Sequence, residues 1–107
     1  MKIIFYVEGE TLIAALSGEI DHHVSGMLRH DIDEEMDLCG TKNLIFDFSD
    51  VEFMDSSGIG MVFGRYKKVS AAGGSVTIRN AGRLVKQILD MSGVFTLMSY
   101  EDTRGEE

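Results

Sequence analysis

The chain opens on two runs dominated by β-favouring residues, Ile3 to Val7 and Thr11 to Leu16, parted by Glu8-Gly9-Glu10. A break of that length containing glycine suits a hairpin loop, so an antiparallel pair is expected to begin the fold. Beyond Gly18-Glu19-Ile20 the period changes. Val24, Met27, Leu28, Ile32 and Met36 recur at three-four spacing, which predicts a helix with one apolar stripe, N-capped by Asp21 and stopped by Gly40. Leu44 to Phe48 reads as a buried strand. From Ser57 the apolar residues Ile59, Val62, Phe63, Tyr66 and Val69 return to helical spacing until Gly73-Gly74, and Ser75 to Arg79 reads as the next strand. A third helix is predicted over Gly82 to Met91, with Leu84, Val85, Ile88 and Leu89 inward, followed by a last strand, Val94 to Tyr100.

Strands separated by helices of this length need crossover connections, and those imply parallel pairing. The expected fold class is therefore α/β: one domain over residues 1–101, a mixed, mostly parallel β-sheet with an N-terminal antiparallel hairpin and flanking α-helices. Residues 102–107 are acidic and poor in apolar side chains, and are expected to fray.

Composition narrows the classes of function. A chain of 107 residues can bury a core without disulfides or metals. No apolar run approaches the roughly 20 residues of a membrane span, no signal-peptide pattern opens the sequence, and the single cysteine, Cys39, has no internal partner. A cytoplasmic protein without membrane contact is expected. Ten basic against eighteen acidic residues give a net charge of -8, which argues against nucleic acid as a partner.

Chemistry concentrates at the junction Met54-Asp55-Ser56-Ser57-Gly58, where a strand pattern gives way to a helical one. The plain reading is capping, in which Asp55 or a serine accepts a hydrogen bond from an orphan N–H of the first turn. Capping leaves Gly58, Gly60 and Gly64 unexplained, since each glycine costs a helix up to about 1 kcal/mol relative to alanine. At about 100° per residue, Gly60, Met61, Gly64, Arg65 and Lys68 fall opposite the apolar stripe. A face of glycine and exposed methionine suits close approach by another protein. A serine just upstream could switch that docking by phosphorylation, since phosphate is tolerated at a helix N-terminus. Either serine would serve on these grounds.

Enzymatic readings find little support. The serines lack the preceding glycine of a G-x-S-x-G elbow. No phosphate-binding loop motif occurs, adjacent His22 and His23 diverge by about 100° on a helix, and Cys39 has no assignable base. No catalytic activity, cofactor or metal is expected.

The runs GEIDHH (18–23), DFSDVEFMDSSGIGMVFGRYKK (47–68), GG (73–74) and LDMSGVF (89–95) occur together and in order. In them the chain resembles the STAS-domain family, specifically the bacterial anti-sigma factor antagonists of the sporulation system. The resemblance implies a cycle. The antagonist binds an anti-sigma factor that is also a GHKL-type serine kinase carrying ATP or ADP. That kinase phosphorylates the first serine after the motif aspartate, Ser56 here, and a PP2C-type phosphatase resets it. Partner contacts would come from Gly60, Met61, Gly64 and Arg65, from Asp55, Ser57 and Gly58 at their head, and from Asp21 of the GEIDHH run. A constitutive scaffold or ligand-sensing module, with Ser56 only a cap, is the alternative. Family members commonly carry another helix after the last strand, which the short polar end of this chain does not supply.

Overall fold

The computed structural model describes residues 1–104. Strands β1 (Lys2–Glu8) and β2 (Thr11–Ile20) form the expected antiparallel pair, with Glu8 opposite Thr11. The connection is thus Gly9-Glu10, and Gly9 supplies the positive φ, 60°, that a two-residue hairpin needs. Helix α1 (Ser25–Cys39) ends at Gly40, whose left-handed backbone lets its N–H reach the Met36 carbonyl. Strand β3 (Asn43–Met54), helix α2 (Ser56–Ala71), strand β4 (Val76–Arg79), helix α3 (Arg83–Met91) and strand β5 (Ser99–Glu101) complete the order.

The sheet runs β1-β2-β3-β4-β5, with every pair after the first parallel. Three successive crossovers step the same way along it, and right-handed crossovers then place all their helices on one face. The core obeys that geometry. It takes alternate residues of each strand, Leu12, Ala14 and Leu16 from β2, Leu44, Phe46 and Phe48 from β3, Val76 and Ile78 from β4. Against them pack Leu28, Ile32 and Met36 of α1, Val62 and Val69 of α2, and Val85 and Leu89 of α3. The intervening residues face away from the helices, and there Ile4 and Tyr6 are 47% and 53% exposed.

Several local expectations give way to tertiary context. Asp21 does not cap α1; it closes the turn before it, its carboxylate accepting from the His23 N–H and its carbonyl from the N–H groups of Val24 and Ser25. Met27 and Leu84 lie exposed, because the contact stripes narrow to Leu28-Ile32-Met36 on α1 and Val85-Leu89 on α3. Strand β3 continues past Phe48 to Met54 by following β2 through register shifts at Ala15/Ser17 and Gly18/Glu19. The segment predicted as a strand from Val94 begins as a 3-10 turn, Val94–Thr96, launched by Gly93 at φ 86°. Val94 and Met98, both buried, sit four apart, a helical rather than alternating spacing.

The end of the chain is partly described. Thr103 is held by a buried asparagine, Asn80, whose Oδ1 accepts from the Thr103 N–H at 2.8 Å and whose Nδ2 donates to the Thr103 hydroxyl at 2.9 Å. Residues 105–107, part of the expected frayed tail, lie outside the described residues.

Gly74, in the loop after α2, packs tightly against the loop that follows α1. An added Cβ would overlap the Lys42 carbonyl and sit 2.9 Å from Val69 Cγ1. Gly74→Ala is expected to destabilise the domain by about 3 kcal/mol, read as a lowered midpoint in urea unfolding. An unchanged midpoint would refute the contact.

Candidate functional site

Parallel β2 and β3 end side by side, Ile20 paired with Met54, and both following helices start there. The Asp55 N–H donates to the Ile20 carbonyl at 3.1 Å, carrying the ladder one residue beyond the strand. Gly58 completes the fit. A Cβ at that position would stand 2.9 Å from Ile20 Cγ2 and 3.1 Å from Met54 Cε, so glycine lets the first turn of α2 rest on the ends of both strands.

Asp55 is the N-cap of α2. One oxygen, Oδ1, accepts from the Ser57 hydroxyl at 2.6 Å, from the Ser57 N–H at 2.9 Å and from the Gly58 N–H at 3.4 Å. The Ser57 hydroxyl holds the carboxyl below its usual pKa, with the Ser57 and Gly58 N–H groups and the charge of His22 adding to it against the opposing effect of burial. The two serines are thereby separated. The Ser57 hydroxyl is engaged, whereas Ser56 is exposed and its hydroxyl bonds to nothing among the described residues.

Downstream, the expected docking face divides. Met61 and Arg65 are not exposed: they retain 5% and 6% of their surface, because α1 lies beside α2 and covers that flank. The helix therefore buries two sides, Val62 and Val69 toward the sheet and Met61 and Arg65 toward α1. Arg65 Nε stands 2.7 Å from Asp33 Oδ1 of α1, out of line for a hydrogen bond but in close ion-pair contact. Lys68 approaches both Asp33 and Asp37 at 3.8 Å. Burial draws the Arg65 guanidinium below its ordinary pKa, and Asp33 counteracts it. Sequence held a signal for this seam in two acids one turn apart on α1 and two bases three apart on α2.

Gly60 and Gly64 face open space. A Cβ at either would meet nothing within 4 Å, so neither glycine is required by packing. With Ser25, Gly26, Arg29, Ser57, Met61 and Arg65 they line a groove of about 240 Å³ between α1 and α2, and no histidine lies in its wall. Asp21 stands in the turn before α1, directly after Ile20, whose carbonyl accepts from the Asp55 N–H at the head of α2. Elsewhere, His30, Asp31 and Glu34 bring ligand atoms within 4.8 Å of one another on the outer surface of α1, a grouping that sequence reading missed. Among the described residues no helix is long and apolar enough to cross a membrane.

Residues 2–107 match the family model of the STAS domain, and the chain belongs to that family. Among curated relatives, the anti-sigma F factor antagonist of Paenibacillus polymyxa is 40% identical over 91 residues, 85% of this chain and 78% of that protein. The anti-sigma F factor antagonist of Lysinibacillus sphaericus is 31% identical over 88 residues, 82% of this chain and 75% of that protein. Among solved structures, the anti-sigma factor antagonist SpoIIAA in its unphosphorylated form superposes with a TM-score of 0.82 at 30% identity, covering 97% of this chain and 90% of that one. The phosphorylated form of the Bacillus protein gives 0.75 at 28% identity, covering 97% and 93%.

The Asp55 cap carries a signature in pH. Its folded pKa is lowered, so as pH falls the unfolded chain takes up the proton first. The stabilisation is complete above the unfolded value, about 4, and disappears as pH drops through the folded one. Asp55→Asn should therefore unfold at lower urea than the parent at pH 7, with the difference shrinking toward acid. A difference independent of pH would contradict the assignment.

Proposed function

We propose that this chain is an anti-sigma factor antagonist: its unphosphorylated form binds an anti-sigma factor and frees a sigma factor, and phosphorylation of Ser56 ends that binding. One observation carries the reading, the exposed and unbonded Ser56 hydroxyl at the head of α2, next to a serine already engaged by Asp55. Support comes from relatives that bear this function in their names and from a structural counterpart known with and without phosphate. The anti-sigma factor would itself be the GHKL-type kinase, supplying ATP, and a PP2C-type phosphatase would reverse the step. The Ser56 oxygen would take the γ-phosphoryl group as the β–γ P–O bond of ATP breaks, ADP would leave, and the hydroxyl proton would pass to the kinase or to solvent. Similarity to anti-sigma F factor antagonists points to the sporulation pathway and to a cytoplasmic setting.

The local chemistry favours a switch felt by the partner. Asp55 already occupies the N–H groups of Ser57 and Gly58, so a phosphate on Ser56 would not find those donors free. It would add roughly -1.5 to -2 charges beside an existing carboxylate, eased by the positive end of the helix dipole. Repulsion would thus appear at the docking surface without any rearrangement of the core.

Incubation with an anti-sigma F factor and ATP, followed by mass spectrometry, should find one phosphate, on Ser56. Ser56→Asp should bind that factor far more weakly than the parent. Ser56→Ala should bind normally, resist modification, and keep its stability within about 0.5 kcal/mol, as befits a surface substitution. Modification elsewhere, or full binding by Ser56→Asp, would sink the proposal. The glycines supply a second test. Gly60→Ala and Gly64→Ala should each stabilise the domain by up to about 1 kcal/mol while weakening partner binding in a titration; binding that survives both would remove them from the interface.

A further inference from the structure

We infer that the groove between α1 and α2 receives a carboxylate side chain of the anti-sigma factor, with Arg29 as its principal contact. The inference rests on the function proposed above and specifies its chemistry. The chain carries a net charge of -8, yet the ionisable residues lining this groove are two arginines, Arg29 and Arg65, with no acid among them. Arg65 is balanced by Asp33, and Arg29 also borders Asp33, Glu34 and Asp37 on its other side. The positive charge that this groove offers a partner is therefore chiefly that of Arg29, and such local complementarity governs which partners approach and in what register.

The two arginines differ in a useful way. Arg65 is buried and anchored, its Nε against Asp33 and its Nη1 donating to the Met61 carbonyl at 3.4 Å, which leaves Nη2 without a hydrogen bond among the described residues. Arg29 is exposed and makes no ion pair or hydrogen bond among them. A guanidinium offers five N–H donors in a planar fork, the shape that a carboxylate accepts in bidentate fashion. One arginine is thus fixed as wall and the other is available as clamp.

The backbone reinforces this. No side chain caps α1, and the N–H groups of Gly26 and Met27 donate to nothing among the described residues. Gly26 is itself in the groove wall. Because α1 and α2 both begin beside the paired ends of β2 and β3, the positive ends of their dipoles lie together. The floor stays open at Gly26, Gly60 and Gly64, where an added Cβ would touch nothing within 4 Å. Space, donors and charge therefore coincide in one place, one residue from Ser56 along the chain. A phosphoryl group on Ser56 would bring a competing negative charge to this field and neutralise, from within the chain, what draws the partner's carboxylate.

Calorimetric titration of an anti-sigma F factor with the intact chain and with Arg29→Lys, Arg29→Ala and Arg29→Glu tests this. Exposure of Arg29 makes all three compatible with the fold. Retention of most affinity is expected for Arg29→Lys, about tenfold loss for Arg29→Ala and about a hundredfold for Arg29→Glu, with a shallower salt dependence in the last two. Replacing surface acids of the anti-sigma factor by arginine, one at a time, should yield one exchange that restores binding to Arg29→Glu. Undiminished binding by Arg29→Glu, or a loss that no such exchange restores, overturns the carboxylate receptor while leaving the antagonist function standing. Failure of the unsubstituted chain to bind overturns the function and this inference with it. If inorganic phosphate shifts the Arg29 resonances while Arg29→Glu still binds fully, the groove serves a small anion instead.

Discussion

Handedness is the constraint on which the rest of this molecule depends. Strands β2 to β5 lie side by side in chain order and all run the same way, so each crossover must step in the same direction with the same hand. One face of the sheet then collects every helix, and every helix starts from the same end. That is why the core is a single layer between sheet and helices, and why the heads of α1 and α2 become neighbours although about thirty residues separate them in sequence. The site is a by-product of topology before any functional residue is considered.

Within that frame, glycine and charge decide what the shared end can do. Gly58 and Gly74 allow backbone contacts that no side chain could permit, whereas Gly60 and Gly64 relieve no contact at all. The same residue type therefore serves two purposes, both of them on α2 in Gly58 against Gly60 and Gly64. Asp33, shared between Arg65 and Lys68, fixes the lateral position of α2 on α1 and so sets the width of the groove between them. A surface ion pair would contribute little to stability, but Arg65 is almost wholly enclosed, and a buried guanidinium without a counter-ion is strongly unfavourable.

Most of the fold was legible because its elements carry distinct signals: short runs of β-favouring residues in β1 and β2, three-four spacing in α1 and α2, glycine at the breaks. Legibility failed where a residue serves two neighbours. Met61 and Arg65 lie opposite the centre of the apolar stripe read from the sequence, but the buried arc of α2 is rotated toward them because α1, a tertiary neighbour, covers that flank. Val94 to Met98 is short, apolar and ambiguous between a strand and a turn, and Gly93 with a positive φ tips it to the turn. At the junction a cap could be read, but whether Asp55 or a serine supplied it could not, and only the family resemblance prefers Ser56 to Ser57. Which hydroxyl is engaged depends on which falls within 2.6 Å of the carboxylate, a distance that residue types alone do not encode.

That short contact has an informational consequence. Two adjacent hydroxyls offered to a kinase could in principle generate four chemical states, two of them with the same mass and different geometry. By tying the Ser57 hydroxyl into its own cap, the helix leaves the Ser56 hydroxyl as the one unbonded and exposed at the head of α2, which under the proposed function would give that head two states. Under the proposed function the domain would store one binary digit, written by one phosphoryl transfer and erased by one hydrolysis, with no intermediate level for a partner to misread.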